Sequence, residues 1–143
     1  MNTKNYLVAA VLLAATIMAG CSQKGNPPEK IVAAFKKLHP QATIEKWNDE
    51  PPVWEAKYKD ATGSGAVSFD KNGVVTETEL VINEDQLPAQ PAIPDYIQAN
   101  YKEKLQRCEK IVTADGTTTY EIQITGKEIV FDAQGKFLQE EAD

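Results

Sequence analysis

The chain has 143 residues, with 15 Lys and Arg against 21 Asp and Glu, a net charge of −6. Such an acidic surface repels nucleic acid and anionic lipid headgroups, so partners of either kind are not expected. A single histidine leaves little material for a metal centre or a catalytic triad.

The N-terminus reads as a processing signal. Lys4 gives a weakly positive start, and residues 6–18 form an apolar run. Thirteen residues are too few to cross a bilayer core, which takes about 20 in a helix, so a secretory signal is expected over residues 1–20. Met18-Ala19-Gly20-Cys21 ends the run with small residues before a cysteine and resembles a bacterial lipobox, which implies lipidation at Cys21. With Lys4 removed, 14 basic residues face 21 acidic ones, a net charge of −7. Residues 21–28, polar and punctuated by Gly25, Pro27 and Pro28, read as a tether.

A first helix is predicted from Pro28, whose missing N–H suits a first turn, with Glu29 well placed against the helix dipole. Ile31, Ala34, Phe35 and Leu38 make one apolar stripe before Pro40 stops it. A period of two follows. Trp54, Ala56 and Tyr58 alternate with Glu55, Lys57 and Lys59, as in a strand with one buried and one wet face. Residues 66–69 form a second strand, ended by the turn Asp70-Lys71-Asn72-Gly73. Val74, Thr76, Thr78, Leu80 and Ile82 then share a face opposite Glu77 and Glu79. Pro88, Pro91 and Pro94 stiffen a connection over residues 84–93. A second helix is expected from Ile93 or Pro94 to Leu105, with Ile97 and Tyr101 on its apolar face. Beyond it Tyr120, Ile122 and Ile124 oppose Glu121, Gln123 and Thr125, and residues 132–135 repeat the turn.

The chain therefore says one thing twice. Ile31 matches Ile97, Phe35 matches Tyr101 and Trp54-Glu55 matches Tyr120-Glu121, all 66 residues apart; Phe69-Asp70 matches Phe131-Asp132 at 62. The fold class expected is α+β, two tandem helix-plus-antiparallel-strand repeats (residues 29–83 and 94–143) that form one sheet with both helices packed on one face.

The chemistry of catalysis is not evident. His39 before Pro40 reads as a surface turn residue, and His39 with Cys108 makes no zinc constellation. Ser22, Ser64 and Ser68 lie in no nucleophile motif. Thr62-Gly63-Ser64-Gly65 lacks the Lys-Ser/Thr ending of a phosphate loop, and Asp70-Lys71-Asn72-Gly73 lacks the further ligands of a calcium loop. No enzyme activity, cofactor or metal is expected. Cys108 reads as a small buried hydrophobe.

The helix ending at His39-Pro40-Gln41-Ala42, the aromatic-Glu strands Trp54-Glu55 and Tyr120-Glu121, Trp47, the Phe-Asp-x-x-Gly turns and Leu87-Pro88 resemble the PepSY-like, β-lactamase-inhibitor-like bacterial lipoproteins over essentially the whole chain after Cys21. That resemblance implies tandem helix-plus-sheet units, secretion to the envelope and protein binding without catalysis. A monomer is expected, lipid-anchored at Cys21 in the outer membrane facing the periplasm and touching the membrane through that lipid only. It would bind an unknown envelope protein, as a module able to restrain an enzyme, through an open sheet face carrying Trp47, Glu55, Lys57, Glu77, Glu79, Glu121 and Gln123; for Trp47 the alternative is packing at the sheet edge or under the Asp49-Glu50-Pro51-Pro52 loop. The alternatives are a small-ligand or envelope-stress sensor with its ligand between the repeats, and a structural lipoprotein without a ligand.

Overall fold

The structure, a computed structural model, describes residues 25–88 and 92–142, so Cys21 and the signal-like segment lie outside the described residues. Pro28 caps the first helix, α1 (Glu29–Leu38), where the N–H groups of Ile31 and Val32 donate to its carbonyl at 2.9 and 3.2 Å. Four strands follow, β1 (Thr43–Glu50), β2 (Val53–Asp60), β3 (Gly63–Phe69) and β4 (Val75–Ile82), then α2 (Ala92–Asn100), and then β5 (Arg107–Thr113), β6 (Thr118–Ile124), β7 (Lys127–Asp132) and β8 (Phe137–Ala142). All eight strands join one antiparallel sheet in chain order, which leaves β1 and β8 at its edges.

The second helix is shorter than its apolar spacing predicts. It ends at Asn100, whose side-chain Nδ2 donates to the carbonyl of Tyr96 at 2.9 Å, and Leu105 lies outside it. An Asn side chain that competes for the last carbonyls favours a helix end.

Two apolar clusters hold the sheet. Ile31 and Phe35 of α1 pack with Ala56, Tyr58, Val67 and Phe69, flanked by Trp47, Trp54 and Val75. Ile93 and Ile97 of α2 pack with Cys108, Ile122, Ile124, Ile129 and Phe131, flanked by Ile82 and Tyr120. The first cluster belongs to the first half of the chain, whereas the second draws only Ile82 and Leu87 from before α2.

Three bulges set which side chains reach these clusters. Between β1 and β2 the register jumps from Ile44↔Tyr58 to Lys46↔Lys57, so Glu45 is the extra residue and both Ile44 and Trp47 reach the α1 cluster. An uninterrupted strand would place Ile44 and Trp47 on opposite faces. A second bulge pairs Phe69 with Val75 and Ser68 with Glu77, which turns Val75 toward the core in place of Val74 and Thr76; Val74 is exposed. A third, between Val130 and Phe131, sits at the matching place in the second half.

The turns also match. Asp70 Oδ1 accepts the N–H groups of Asn72 and Val74 at 2.8 and 2.9 Å, and Asp132 Oδ1 accepts those of Gln134 and Lys136 at 2.9 and 2.8 Å. Gly73 and Gly135 hold φ of 80° and 79°, a region open to glycine at little cost. Gly65 has a different reason to be glycine: it is buried opposite Tyr58, where a Cβ would run into the carbonyl oxygen of Glu79 and the Tyr58 ring.

Candidate functional site

The strand positions that alternate with the core residues carry most of the sheet's charge. Across the strands they align as Glu55↔Ser68↔Glu77↔Thr113, as Lys57↔Ala66↔Glu79↔Ile111, as Val81↔Glu109↔Glu121↔Val130 and as Arg107↔Gln123↔Glu128↔Glu141. Glu109 stands directly across from Glu121, and Glu128 across from Glu141, like-charge pairings that destabilise a sheet. None of these residues belongs to either apolar cluster.

Burial and mutual repulsion shift their acidity. Glu79 is pushed up to about 8, chiefly by loss of water, then by the charges of Glu55, Glu109 and Glu77, with Lys57 opposing. Glu121 rises to about 7, again mainly through burial, then through Glu128, Glu109 and Glu141 against Arg107. Glu77 is raised by burial and by Glu55. Glu55 couples to Glu77 and Glu79, and Glu109 couples Glu79 to Glu121, so the acidic side chains form one connected stripe from β2 to β8.

Two of the cations on this face pair with carboxylates of the stripe. Lys57 Nζ lies 3.6 Å from Glu55, which also accepts a 2.7 Å hydrogen bond from Asn48 Nδ2. Arg107 pairs with Glu109 at 2.6 Å. Glu55 is thus not an open, wet residue as its alternation suggests: it is only 7 % exposed and tied to its neighbours.

The other chemistry-bearing residues are packed against the apolar clusters. His39 is stacked on Phe35, with ring centroids 5.4 Å apart, and tilted against Tyr58 at 4.2 Å, with Nδ1 3.9 Å from Asp60. It is a packing residue, not simply a surface turn. Cys108 is buried beside Ile122, and burial, with Glu84 and Glu109 adding, pushes its thiol up to about 11, away from nucleophilic use. Among the described residues no group of side chains could hold a metal ion. The wider cleft, about 490 Å³, is lined by Tyr96, Tyr101, Lys127, Phe137 and Glu140, all of the second half; a smaller one, about 220 Å³, is lined by Pro28, Pro51, Trp54 and Lys71 of the first. Neither lies between the halves.

No protein-family model and no curated protein sequence matches the chain. Solved structures do. A BLIP-like protein from Bacteroides fragilis superposes with a TM-score of 0.63 at 24% identity, over 84% of this chain and 89% of that one. The fold is BLIP-like. A proposed periplasmic protein from Bacteroides eggerthii gives 0.71 at 18% identity, covering 82% and 90% of the two chains. A DUF2874 family protein from Bacteroides ovatus gives 0.67 at 17%, covering 82% and 89%. At these identities the likeness is one of fold.

The BLIP-like sheet sorts the predicted site residues into two groups. Glu55, Lys57, Glu77, Glu79, Glu121 and Gln123 fall together at the positions alternating with the core. Trp47 does not join them. Its ring meets Phe35 edge-on at 5.8 Å and lies 6.5 Å from Phe69, so it is part of the α1 cluster, and the bulge at Glu45 is the reason. Glu109, Glu128 and Glu141 belong to the stripe but are not evident from the clearest alternating segments. Alternation with Cys108, Ile129 and Phe131 is the signal that finds Glu109 and Glu128.

Proposed function

We propose that this chain is a non-catalytic envelope module, built from two tandem repeats, that docks a protein partner on the sheet face bearing Glu77, Glu79, Glu109 and Glu121. The observation that carries the proposal is that these carboxylates line positions outside both helix-covered clusters, in a continuous stripe crossing the sheet. The strand register supports placing both helices on the opposite face, since Val67 of the first cluster aligns with Thr78 of β4, and Ile82 of β4 aligns with Cys108 of the second. The paired Asp turns and matching bulges support the duplication. The packing of His39 and Cys108 supports a role without catalysis. Proteins of the same fold are described as proposed periplasmic proteins, which favours an envelope address; the lipobox-like end of the leader favours an anchor at Cys21, and Ser22-Gln23-Lys24, with no aspartate after the cysteine, favours the outer membrane.

The test is capture from an envelope extract by the wild-type chain, by Glu77→Lys with Glu79→Lys, and by a control with Lys36→Glu on α1. Capture should be lost in the sheet variant and kept in the control. Equal capture by all three would refute docking on this face. Cys21→Ser should move the protein from the membrane to the soluble fraction, and an unmodified Cys21 in the intact mass of the wild-type protein would refute the anchor.

A further inference from the structure

The charge pattern of the sheet face narrows its partner. Between β4 and β8 the face carries Glu77, Glu79, Glu109, Glu121, Glu128 and Glu141; of its cations, Lys57 and Arg107 are engaged with Glu55 and Glu109, and Lys46 and Lys59 lie on β1 and β2, away from β4 to β8. Adjacent strands lie about 4.8 Å apart and two residues along a strand span about 6.8 Å, so a stripe that crosses five strands while stepping three such intervals along them runs diagonally for roughly 28 Å, the length of about eight residues of extended polypeptide. Among the described residues no cluster suits a metal ion, and the distribution along a line rather than around a point agrees with that. Val81, Ile111 and Val130 are interleaved with the carboxylates at partly buried positions. A side chain with an apolar stem and a charged head, lysine or arginine, satisfies both kinds of neighbour.

Resting on the docking reading above, we propose that the partner presents an extended cationic segment, rich in lysine or arginine, that lies across the carboxylate stripe from Glu77 to Glu141. Apposed cations would add attraction at Glu109↔Glu121 and Glu128↔Glu141, where like charges stand directly across from each other. They would also favour the ionised forms of Glu79 and Glu121, which burial and their charged neighbours Glu55, Glu77, Glu109, Glu128 and Glu141, opposed by Lys57 and Arg107, now hold partly protonated near neutral pH. Binding therefore releases protons.

The probe is a decapeptide of alternating arginine and alanine, titrated calorimetrically into the protein at pH 7 in two buffers of different ionisation enthalpy. The expected result is saturable binding with a buffer-dependent heat that reports proton release. Glu79→Gln with Glu121→Gln should weaken binding at least tenfold and abolish the buffer dependence. Asp95→Asn with Glu103→Gln, which removes the same number of carboxyl groups from exposed sites outside the sheet, should weaken it less than threefold. Three results overturn the inference: no binding to the wild-type protein, equal loss in the two double variants, or spermine binding as tightly as the peptide. Concentration-dependent self-association blocked by Glu79→Gln with Glu121→Gln would also overturn it, in favour of a second copy as occupant. If the peptide arm fails while Glu77→Lys with Glu79→Lys still loses envelope capture, the docking face stands and the cationic segment falls. If capture is unchanged in that variant, the docking face itself falls.

Discussion

Glu79 gives the most direct test of how this sheet is organised. Its carboxyl ionises near 8 in the folded chain, against 4.5 for an unperturbed one. Because the folded value is the higher, the folded chain keeps a proton that the unfolded chain has released, and the stability this confers below about 4.5 is lost as pH rises through 8. A carboxyl wholly out of water would cost about 5 kcal/mol over that window, at roughly 1.36 kcal/mol per pH unit. Glu79 retains contact with solvent, and screening reduces the figure to about 1–2 kcal/mol. In a chain of this size that corresponds to a fall in Tm of about 3–10 °C. Glu79→Gln keeps the shape and removes the charge. Thermal melts followed by circular dichroism should show the variant melting above the wild-type protein at pH 8.5 and close to it at pH 5. A variant that melts lower at pH 8.5, or that declines with pH as steeply as the wild type, would refute the burial of this carboxyl.

Three further outcomes follow from the packing. Trp47→Ala should cost about 2–4 kcal/mol in denaturant unfolding, as loss of a large aromatic from a cluster does, while leaving partner capture intact wherever the protein is folded. Gly73→Ala, forced into φ of 80° against the carbonyl oxygen of Lys30, should cost about 1 kcal/mol or more by the same measurement. Cys108 should resist iodoacetamide in the folded protein and react on unfolding; prompt modification of native protein would show the thiol to be accessible.

Local signals were enough for much of the fold. Pro28 and Pro40 bracket α1, and the alternation of Ala56 and Tyr58 with Glu55 and Lys57 places β2 correctly on its two faces. Asp70 and Gly73 set their hairpin by bonds that reach no more than four residues. The bulges were not legible, because a bulge is settled by what the partner strand offers, and one extra residue inverts the facing of all that follows it. Trp47 is the instance that matters here: counted by twos from Ile44 it faces the carboxylates, whereas Glu45 steps it back to Phe35. The candidate site was legible in direction only. Alternation shows that Glu79 and Glu121 point away from the core, but their crowding depends on Glu55, Glu109 and Glu141, which come from strands far apart in sequence.

A sheet whose strands run in chain order is a ribbon with two unlike ends, and β1 and β8 both leave backbone groups unpaired along one side. If β8 of one molecule accepted β1 of the next, the contact would be head-to-tail and need not close, which is the geometry of a growing fibre. The bulge at Glu45 interrupts the regular spacing that such an addition requires, and Lys46 on β1 and Glu140 and Glu141 on β8 put charge along the exposed rims. The residue that seats Trp47 in the core thus also helps keep the ribbon from polymerising.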